Sequence, residues 1–355
     1  MRFVFSTLLA ANLVATGATA LVAQQPGSRA KLQIRFDTTE AAEALYLIEG
    51  KRDKYEPVDD DWKPLFATEG YKRLKLREDE MGRAFTDSSF KAFILSDTLV
   101  KRVAPMRKAL DAWARLDVRA AATKAFEYLP ADAHIAATIY IMIKPRTNSF
   151  VYDLDRDPAI FIYLDPNESA AKLENTVAHE LHHIGFATLG ARLDSITRPL
   201  PAGARNAAGW AQSLGEGFAM LAAAGGPEIH PHVKSPAKER AVWDASIKNF
   251  NGDLKLVETF LTKVVNNQFA TPDEISKAAG EFYGVQGPWY TVGWKVAQTI
   301  ERKYGRAEVV HCMMDPYRLF SKYNAAAADY NKTHPTAKLA VWSPELVKAF
   351  KAPGT

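Results

Sequence analysis

Apolar side chains recur at helical spacing through much of the first third of the chain. This period predicts helices over residues 38–48, 88–100 and 105–128, and Pro105 suits the first turn of the third helix. Residues 55–71 carry prolines and an acidic run instead of a period, which predicts an irregular segment. The leading third is therefore expected to be mainly α-helical.

The pattern then changes to short runs of β-branched and aromatic residues. Residues 138–143 and 159–164 form two such runs, too short for a helix and typical of strands. Residues 149–154 offer a third candidate strand, with turn-forming residues on both sides. A small sheet is expected here.

A longer amphipathic helix is predicted directly after the second run, ending near residue 189. Turn and cap residues at 165–169 precede it. One stripe of this helix is apolar except for its last member: Leu173, Val177, Leu181, Ile184 and Thr188. The neighbouring stripe contains Thr176, His179, Glu180, His183 and Ala187. The helix is expected to pack on one side and to present its histidines on the other.

The remaining chain is again mainly helical in pattern. Residues 190–206 contain prolines and glycine and predict a loop, whereas residues 207–224 predict a helix that carries Glu216. Further helices are predicted at 238–250, 254–267, 272–279 and 292–304.

Neither an internal repeat nor a long linker divides the sequence. We therefore predict an α+β fold that is mainly α-helical and forms a single domain over residues 24–355. Its parts are a helical segment at 30–130, the strands and amphipathic helix at 137–189, and a second helical segment at 207–355.

Residues 1–23 have the features of an export signal. Arg2 supplies a positive charge, an apolar segment follows, and Ala18-Thr19-Ala20 fits the A-x-A cleavage rule. The alternative is an uncleaved membrane anchor, since the segment is nearly long enough to span a bilayer. Small residues near Ala20 and polar residues after it favour cleavage, so the mature chain is expected to be periplasmic or secreted.

Charge and cysteine content narrow the classes of function. The net charge of +4 is spread along the chain, whereas a nucleic-acid-binding protein should show a concentrated basic stripe. Cys312 is the single cysteine, so an exported chain cannot form an internal disulfide. Stability must come from the hydrophobic core, which a chain of this length can build.

The segment His179-Glu180-Leu181-His182-His183 carries the strongest chemical signal. Two histidines four residues apart lie on one helix face with β-carbons roughly 5–6 Å apart, so both imidazoles can reach one metal ion. Glu180 can then address a water at the metal without being a ligand. His182 points away from this face and is expected at the surface or behind the ligands.

A catalytic zinc site needs a third protein ligand. A histidine six or seven residues beyond His183 would define a metzincin, but Leu189 and Gly190 stand there. Glu216 is the favoured candidate, because a carboxylate between two glycines in an apolar segment needs a partner for its charge. The alternatives for this ligand are Asp194, His230 and His232.

These motifs resemble those of gluzincin-type zinc metallopeptidases, in which a glutamate from a later helix completes the metal site. The segments 178–183, 215–219 and 287–295 are also similar to bacterial families described only as zinc-dependent peptidases of unknown function. The resemblance implies a zincin fold and one zinc ion on His179, His183 and Glu216. It also implies that Glu180 is the general base and that the substrate is a peptide or protein.

Two features of the pattern leave roles open. In thermolysin-like gluzincins, an aspartate four residues after the ligand glutamate orients the first histidine, but Met220 occupies that position. Asn175, one turn before His179, is a weaker candidate for that role. Tyr290 is the candidate donor to the oxyanion, with a core aromatic at a helix start as the alternative.

Two other functions fit the same residues. A zinc hydrolase of non-peptide substrates would share the site, and only substrate screening separates it from a peptidase. A non-catalytic binding or scaffolding module is the third possibility. Glu180 argues against that module, since a structural zinc site needs no base beside its ligands.

Overall fold

A computed structural model describes residues 21–22 and 32–352 of the chain. The predicted export signal lies outside the described residues except for Leu21 and Val22. Most of the described chain is helical, and a small mixed sheet lies beside one long helix. The predicted α+β class, with helices predominating, is confirmed.

The sheet has the strand order β1-β2-β3-β5-β4. The strands are β1 (Leu21–Val22), β2 (Leu32–Asp37), β3 (Ile135–Met142), β4 (Phe150–Tyr152) and β5 (Ala159–Tyr163). Strands β2, β3 and β5 run parallel, with Ile34 opposite Ala137 and Ile139 opposite Ile160. The short strands β1 and β4 pair antiparallel with β2 and β5 and form the two edges.

The helices between β2 and β3 form a long crossover that connects these two parallel strands. They are α1 (Thr39–Arg52), α2 (Lys63–Ala67), α3 (Glu69–Glu80), α4 (Asp87–Ile94), α5 (Asp97–Trp113) and α6 (Val118–Phe126), with a 3₁₀ turn at Asp59–Trp62. The prediction of an irregular segment at 55–71 is wrong over most of its length, because the 3₁₀ turn, α2 and the start of α3 occupy it. There, Thr68 caps α3 by accepting a hydrogen bond from the Tyr71 amide.

Pro105 does not begin a helix, contrary to the prediction, but lies inside α5. The side chain faces solvent, where the lost backbone hydrogen bond can be replaced by water. The helix predicted at 88–100 is instead two helices, because the chain is extended at Ser96 between α4 and α5.

Helix α7 (Ala170–Ala187) follows β5 and packs against α6 and β3. The Ser169 hydroxyl caps its start by accepting from the Lys172 amide at 3.2 Å. The predicted apolar stripe is buried at Leu173, Val177 and Leu181. This face joins the main hydrophobic core, which also contains Ile139 and Ile160 from the sheet.

The opposite face of the sheet packs under α3. Tyr140, Met142, Ala159 and Phe161 form a separate buried cluster with Leu74 on that side. Residues alternate between the two faces, so α7 and α3 lie on opposite sides of the strands.

The helices after α7 build the rest of the described chain. They are α8 (Gly190–Thr197), α9 (Ala202–Ala211), α10 (Gly215–Ala224), α11 (Ala237–Ser246), α12 (Phe250–Val265), α13 (Pro272–Gly280), α14 (Pro288–Tyr304), α15 (Arg306–Met314), α16 (Pro316–Thr333) and α17 (Pro344–Ala349). Short 3₁₀ turns lie at Gln212–Leu214 and Ile247–Asn249. None of the helices in the described part is long and apolar enough to cross a lipid bilayer.

The loop predicted at 190–206 is also wrong. Helix α8 occupies its first half, and α9 begins at Ala202. The prolines that suggested a loop do interrupt the helical structure, but only in the short gap between α8 and α9. Pro201 is itself the residue that precedes α9.

Candidate metal centre

Helix α7 brings His179 and His183 together because they are four residues apart on one face. Their Nε2 atoms lie 3.0 Å apart, and the two rings are nearly perpendicular at 81°. Both side chains are largely buried, with 14% and 25% of their surface exposed. The rest of α7 is fixed by the core, so the core holds this pair in place.

Glu216 reaches the same point from α10. It lies in the first turn of that helix, where a negative charge is favoured by the helix dipole. Its Oε2 atom is 3.2 Å from Nε2 of His179 and 3.2 Å from Nε2 of His183. The structure therefore places the favoured third ligand candidate against the histidine pair.

The donor set and its spacing fit a zinc ion. Three ligands in a tetrahedral zinc site, each ~2.0–2.1 Å from the ion, are roughly 3.3 Å apart, close to the separations found here. Two imidazole nitrogens and one carboxylate are a typical catalytic donor set. In the part of the chain that the structure describes, no other group of three His, Cys, Asp or Glu residues meets in this way.

The charges of the three groups favour a cation between them. Burial acts to raise the pKa of Glu216, but His183 and His179 outweigh it and hold that pKa well below its usual value. Burial acts to lower the pKa of His183, and the Glu216 carboxylate outweighs it and raises that pKa. The ionised carboxylate thus stabilises positive charge at the imidazoles, as it would stabilise a metal ion.

Glu180 lies on the cleft that leads to the cluster. The cleft has a volume of about 540 Å³ and is also lined by His183, Glu216 and residues of the edge strand β4 and the turn after it. Its apolar wall includes Val151, Leu154, Phe186 and Leu193. A carboxylate beside the ligands, open to a cleft, can act on a water or a substrate there.

Tyr290 stands beside the cluster, on α14. Its ring stacks on that of His179 at a centroid distance of 6.4 Å and an angle of 17°. Burial, with the charges of Glu216 and Glu180, raises the pKa of its hydroxyl. The structure thus places this sequence-predicted residue at the site. Its hydroxyl stays protonated.

The alternative third ligands lie elsewhere. Asp194 is exposed on α8 and is absent from the cluster. His230 pairs with Asp244 at 3.0 Å, and His232 contacts the Ser235 hydroxyl at 3.0 Å. The geometry therefore favours Glu216 over all three.

The residues around the metal ligands differ in part from the prediction. His179 Nδ1 is buried without a hydrogen-bond partner among the described residues, and the Asn175 amide donates to the Pro231 carbonyl instead. His182 does not lie at the surface, since only 1% of it is exposed, and burial lowers its pKa to about 3. It packs behind the ligands, with its ring 6.3 Å from that of His183.

Sequence reasoning missed part of the cleft wall. Val151 lies in the candidate strand, but nothing in the pattern assigned it to the site. Tyr283 lines the cleft from the turn between α13 and α14, and its hydroxyl is 3.1 Å from that of Ser213. It belongs to no periodic segment, so the sequence carried no signal for it.

Comparison with known protein families gives a match that covers most of the chain. Residues 62–332 match a protein family described as "Putative zinc dependent peptidase (DUF5700)". The match spans roughly three quarters of the chain and contains His179, Glu180, His183, Glu216 and Tyr290. The chain belongs to this family, which confirms the resemblance to zinc-dependent peptidases of unknown function. No curated protein and no solved structure gives a significant match.

Proposed function

We propose that this protein is an exported zinc metallopeptidase of the gluzincin type. The observation that supports it most is the meeting of His179, His183 and Glu216 within 3.2 Å, with Glu180 on the adjoining cleft. A structural zinc site is usually closed by four protein ligands, whereas these three leave a position free for water. The family description agrees with zinc and with peptide hydrolysis.

In this proposal the side chains divide the chemistry of hydrolysis. A zinc ion bound by the three ligands would lower the pKa of a water towards about 7 and polarise the scissile carbonyl. Glu180 accepts a proton from the attacking water and then donates it to the leaving amine. Tyr290 donates a hydrogen bond to the carbonyl oxygen as negative charge develops on it, because its raised pKa keeps the hydroxyl protonated.

The sheet edge supports a peptide as the substrate. Strand β4 pairs with β5 on one side and has no strand on its other side in the described sheet. Val151 of β4 lines the cleft beside Glu180 and His183. An extended peptide can add to such an edge through backbone hydrogen bonds, which would place its chain along the cleft.

The proposed base is tested by Glu180→Gln, which keeps the shape of the side chain and removes its basicity. We expect this variant to bind zinc stoichiometrically, measured by elemental mass spectrometry, and to hydrolyse a peptide library roughly 10³-fold more slowly. Tyr290→Phe should also keep zinc and lose roughly 10²-fold in kcat.

Glu174→Gln is the matched control for this experiment. Glu174 lies on the same helix and pairs with Lys124, away from the cluster. Its variant should retain both zinc and hydrolysis. Full activity in Glu180→Gln would contradict the assigned base, and a zinc-loaded wild type without peptide hydrolysis would favour a non-catalytic module or a different substrate.

A further inference from the structure

A second cavity lies on the face of the sheet opposite α7. Its volume is about 450 Å³, which is in the range of pockets for small organic ligands. Phe85, Phe93 and Phe150 line it with aromatic rings. Its cationic residues are Arg83, Lys144 and Arg146. The wall is thus apolar in one part and positively charged in another.

Lys144 is the unusual residue of this cavity. It lies two residues after the buried end of β3, and only 1% of it is exposed. Its ammonium donates to the backbone carbonyls of Arg146 and Asn148. An ammonium has three donors, so one has no acceptor among these contacts.

This buried ammonium has no counter-ion in contact with it, and Glu78 and Glu40 attract its charge only from a greater distance. No carboxylate of the described residues lies within ion-pair distance of it. Burial, together with the positive charge of Arg77, lowers the pKa of Lys144 to about 7. A buried charge is costly unless an opposite charge or hydrogen bonds compensate it, and an anion in the cavity would supply both.

The other charges of the cavity do not supply that anion. Glu78 is the one acidic residue of the wall, and it is already paired with Arg77 at 2.5 Å and with Arg83 at 3.4 Å. Arg146 is exposed at the rim and forms no ion pair with a described residue. Two arginines and one lysine face a single carboxylate, which leaves an excess of positive charge.

Phe150 connects the charged and apolar parts of the wall. The Arg77 guanidinium lies 3.6 Å from its ring centroid, and Lys144 Nζ lies 5.1 Å from it. Both cations thus approach the aromatic surface that a ligand would also contact. A ligand that places an apolar group on Phe150 and Phe93 would bring an attached anion near the cations.

We propose that this cavity binds an organic carboxylate whose body is a single aromatic or branched apolar group. The carboxylate pairs with Lys144 and Arg146, and the apolar body packs against Phe85, Phe93 and Phe150. The same chemistry is offered by a free carboxylic acid and by the C-terminal residue of a peptide.

The cavity is separate from the metal centre. Phe150 belongs to the cluster on the α3 face, whereas its neighbour Val151 lines the cleft on the α7 face. Successive residues of a strand point to opposite faces, so the two sites lie on either side of β4. Binding can therefore be measured without reference to hydrolysis, and failure of one proposal leaves the other intact.

Calorimetry on the full-length, zinc-loaded protein tests this site. The probes are 3-phenylpropionate, the uncharged 3-phenylpropan-1-ol and the cationic 3-phenylpropylamine, which share one body. We expect one molecule of 3-phenylpropionate to bind per chain, and the alcohol and amine to bind at least about tenfold more weakly. Equal affinity for acid and alcohol would overturn the proposal.

Two further probes distinguish the sources of the carboxylate. N-acetylphenylalanine represents the C-terminal residue of a peptide. The second probe, N-acetylphenylalaninamide, has the same body but no carboxylate charge. Binding of N-acetylphenylalanine in preference to 3-phenylpropionate assigns the site to peptide termini, and the reverse preference assigns it to free acids. If neither acid binds, the cavity is not a carboxylate site.

Variants locate the binding in this cavity. Arg146→Gln should weaken carboxylate binding about fivefold or more without lowering Tm, because Arg146 is exposed at the rim. Arg115→Gln, an exposed arginine on another part of the surface, is the matched control and should bind like wild type. Identical affinities for the two variants would contradict the site.

Lys144→Met tests the buried cation itself. This variant should lose carboxylate binding and keep a cooperative unfolding transition, since methionine fills similar space without a charge. If Lys144 only holds the chain between β3 and β4, carboxylate affinity will be unchanged in the folded variant. If the variant fails to fold, the comparison of Arg146→Gln with Arg115→Gln decides.

Discussion

Glu40 is a buried carboxyl group that the function does not use. It lies in the first turn of α1, where Oε2 accepts a hydrogen bond from the Ile143 amide at 2.8 Å. Oε1 is buried and has no partner among the described residues. Burial raises the pKa of this carboxyl to about 8, so folding favours its protonated form.

This raised pKa makes stability depend on pH. The folded protein binds a proton more tightly than the unfolded chain, whose carboxyl has a pKa of 4.5, so stability falls as pH rises from there to about 8. The full loss is roughly 4–5 kcal/mol. Glu40→Gln should remove this loss, and chemical unfolding of wild type and variant at pH 5 and pH 8.5 measures it.

The control for that experiment is Glu43→Gln, a partly exposed glutamate on the same helix. It should leave the difference between the two pH values as in wild type. An unchanged pH dependence in Glu40→Gln would show that Glu40 is ionised in the folded protein at neutral pH.

Some site residues could be predicted because local geometry fixes them. The spacing of His179 and His183 follows from helix geometry alone, and Glu216 stood out as a carboxylate among apolar and small residues. The orientation of His179 could not be predicted, because it depends on contacts between distant segments. Asn175, which is correctly spaced along the helix, turns to Pro231 instead.

Among the helices, α10 and α14 make an exceptionally close contact. A β-carbon added to Gly217 would lie 1.8 Å from the Trp294 amide nitrogen, and one added to Gly293 would lie 2.2 Å from the Leu214 carbonyl oxygen. Both obstacles are backbone atoms, which cannot rotate away. Glycine is therefore required at both positions for this packing, and Glu216 is adjacent to one of them.

Gly217→Ala should force the two helices apart. We expect a loss of roughly 2 kcal/mol or more in unfolding free energy, despite the higher helix propensity of alanine. Zinc affinity should also fall, because Glu216 moves with α10. Denaturant unfolding and competition with a chromogenic chelator measure the two effects.

Gly215→Ala is the matched control, since a β-carbon at Gly215 meets no atom within 4 Å. That variant should be as stable as wild type or up to about 1 kcal/mol more stable. If Gly217→Ala and Gly215→Ala behaved alike, the close contact of α10 with α14 would not exist in solution.

Elements were predictable where the period was long and uninterrupted. Helix α7 agrees closely with its prediction, since its stripes, cap and length all point to one structure. Strand β2 was missed although Leu32 and Ile34 alternate with Gln33 and Arg35, because the run is short and a helix follows at once. The segment at 190–206 was misassigned because its prolines separate two helices and do not mark one loop.

Across the whole molecule, the proposed zinc ion would join α7 to α10. These helices are connected through α8 and α9, so the ligands belong to separate segments that pack together only in the folded chain. A ligand that binds only the folded state stabilises it by mass action. Metal content should therefore set the thermal stability of the protein.

Removing the metal should lower Tm. Zinc at about 100 times its Kd contributes about 2.7 kcal/mol, and dialysis against EDTA should lower Tm by on the order of 5 °C. Calorimetry before and after addition of one equivalent of zinc measures the change. Glu216→Ala should show no such response, and an equal response in that variant would place the third ligand elsewhere.

The close contact of α10 with α14 bears on any attempt to transplant this centre. A designer who copied only the two helices that carry His179, His183 and Glu216 would leave the carboxylate helix without the neighbour that sets its position. The smallest portable unit therefore has three segments, and the third donates no ligand. The glycines at 217 and 293 would have to travel with it, because no other residue lets those backbones meet.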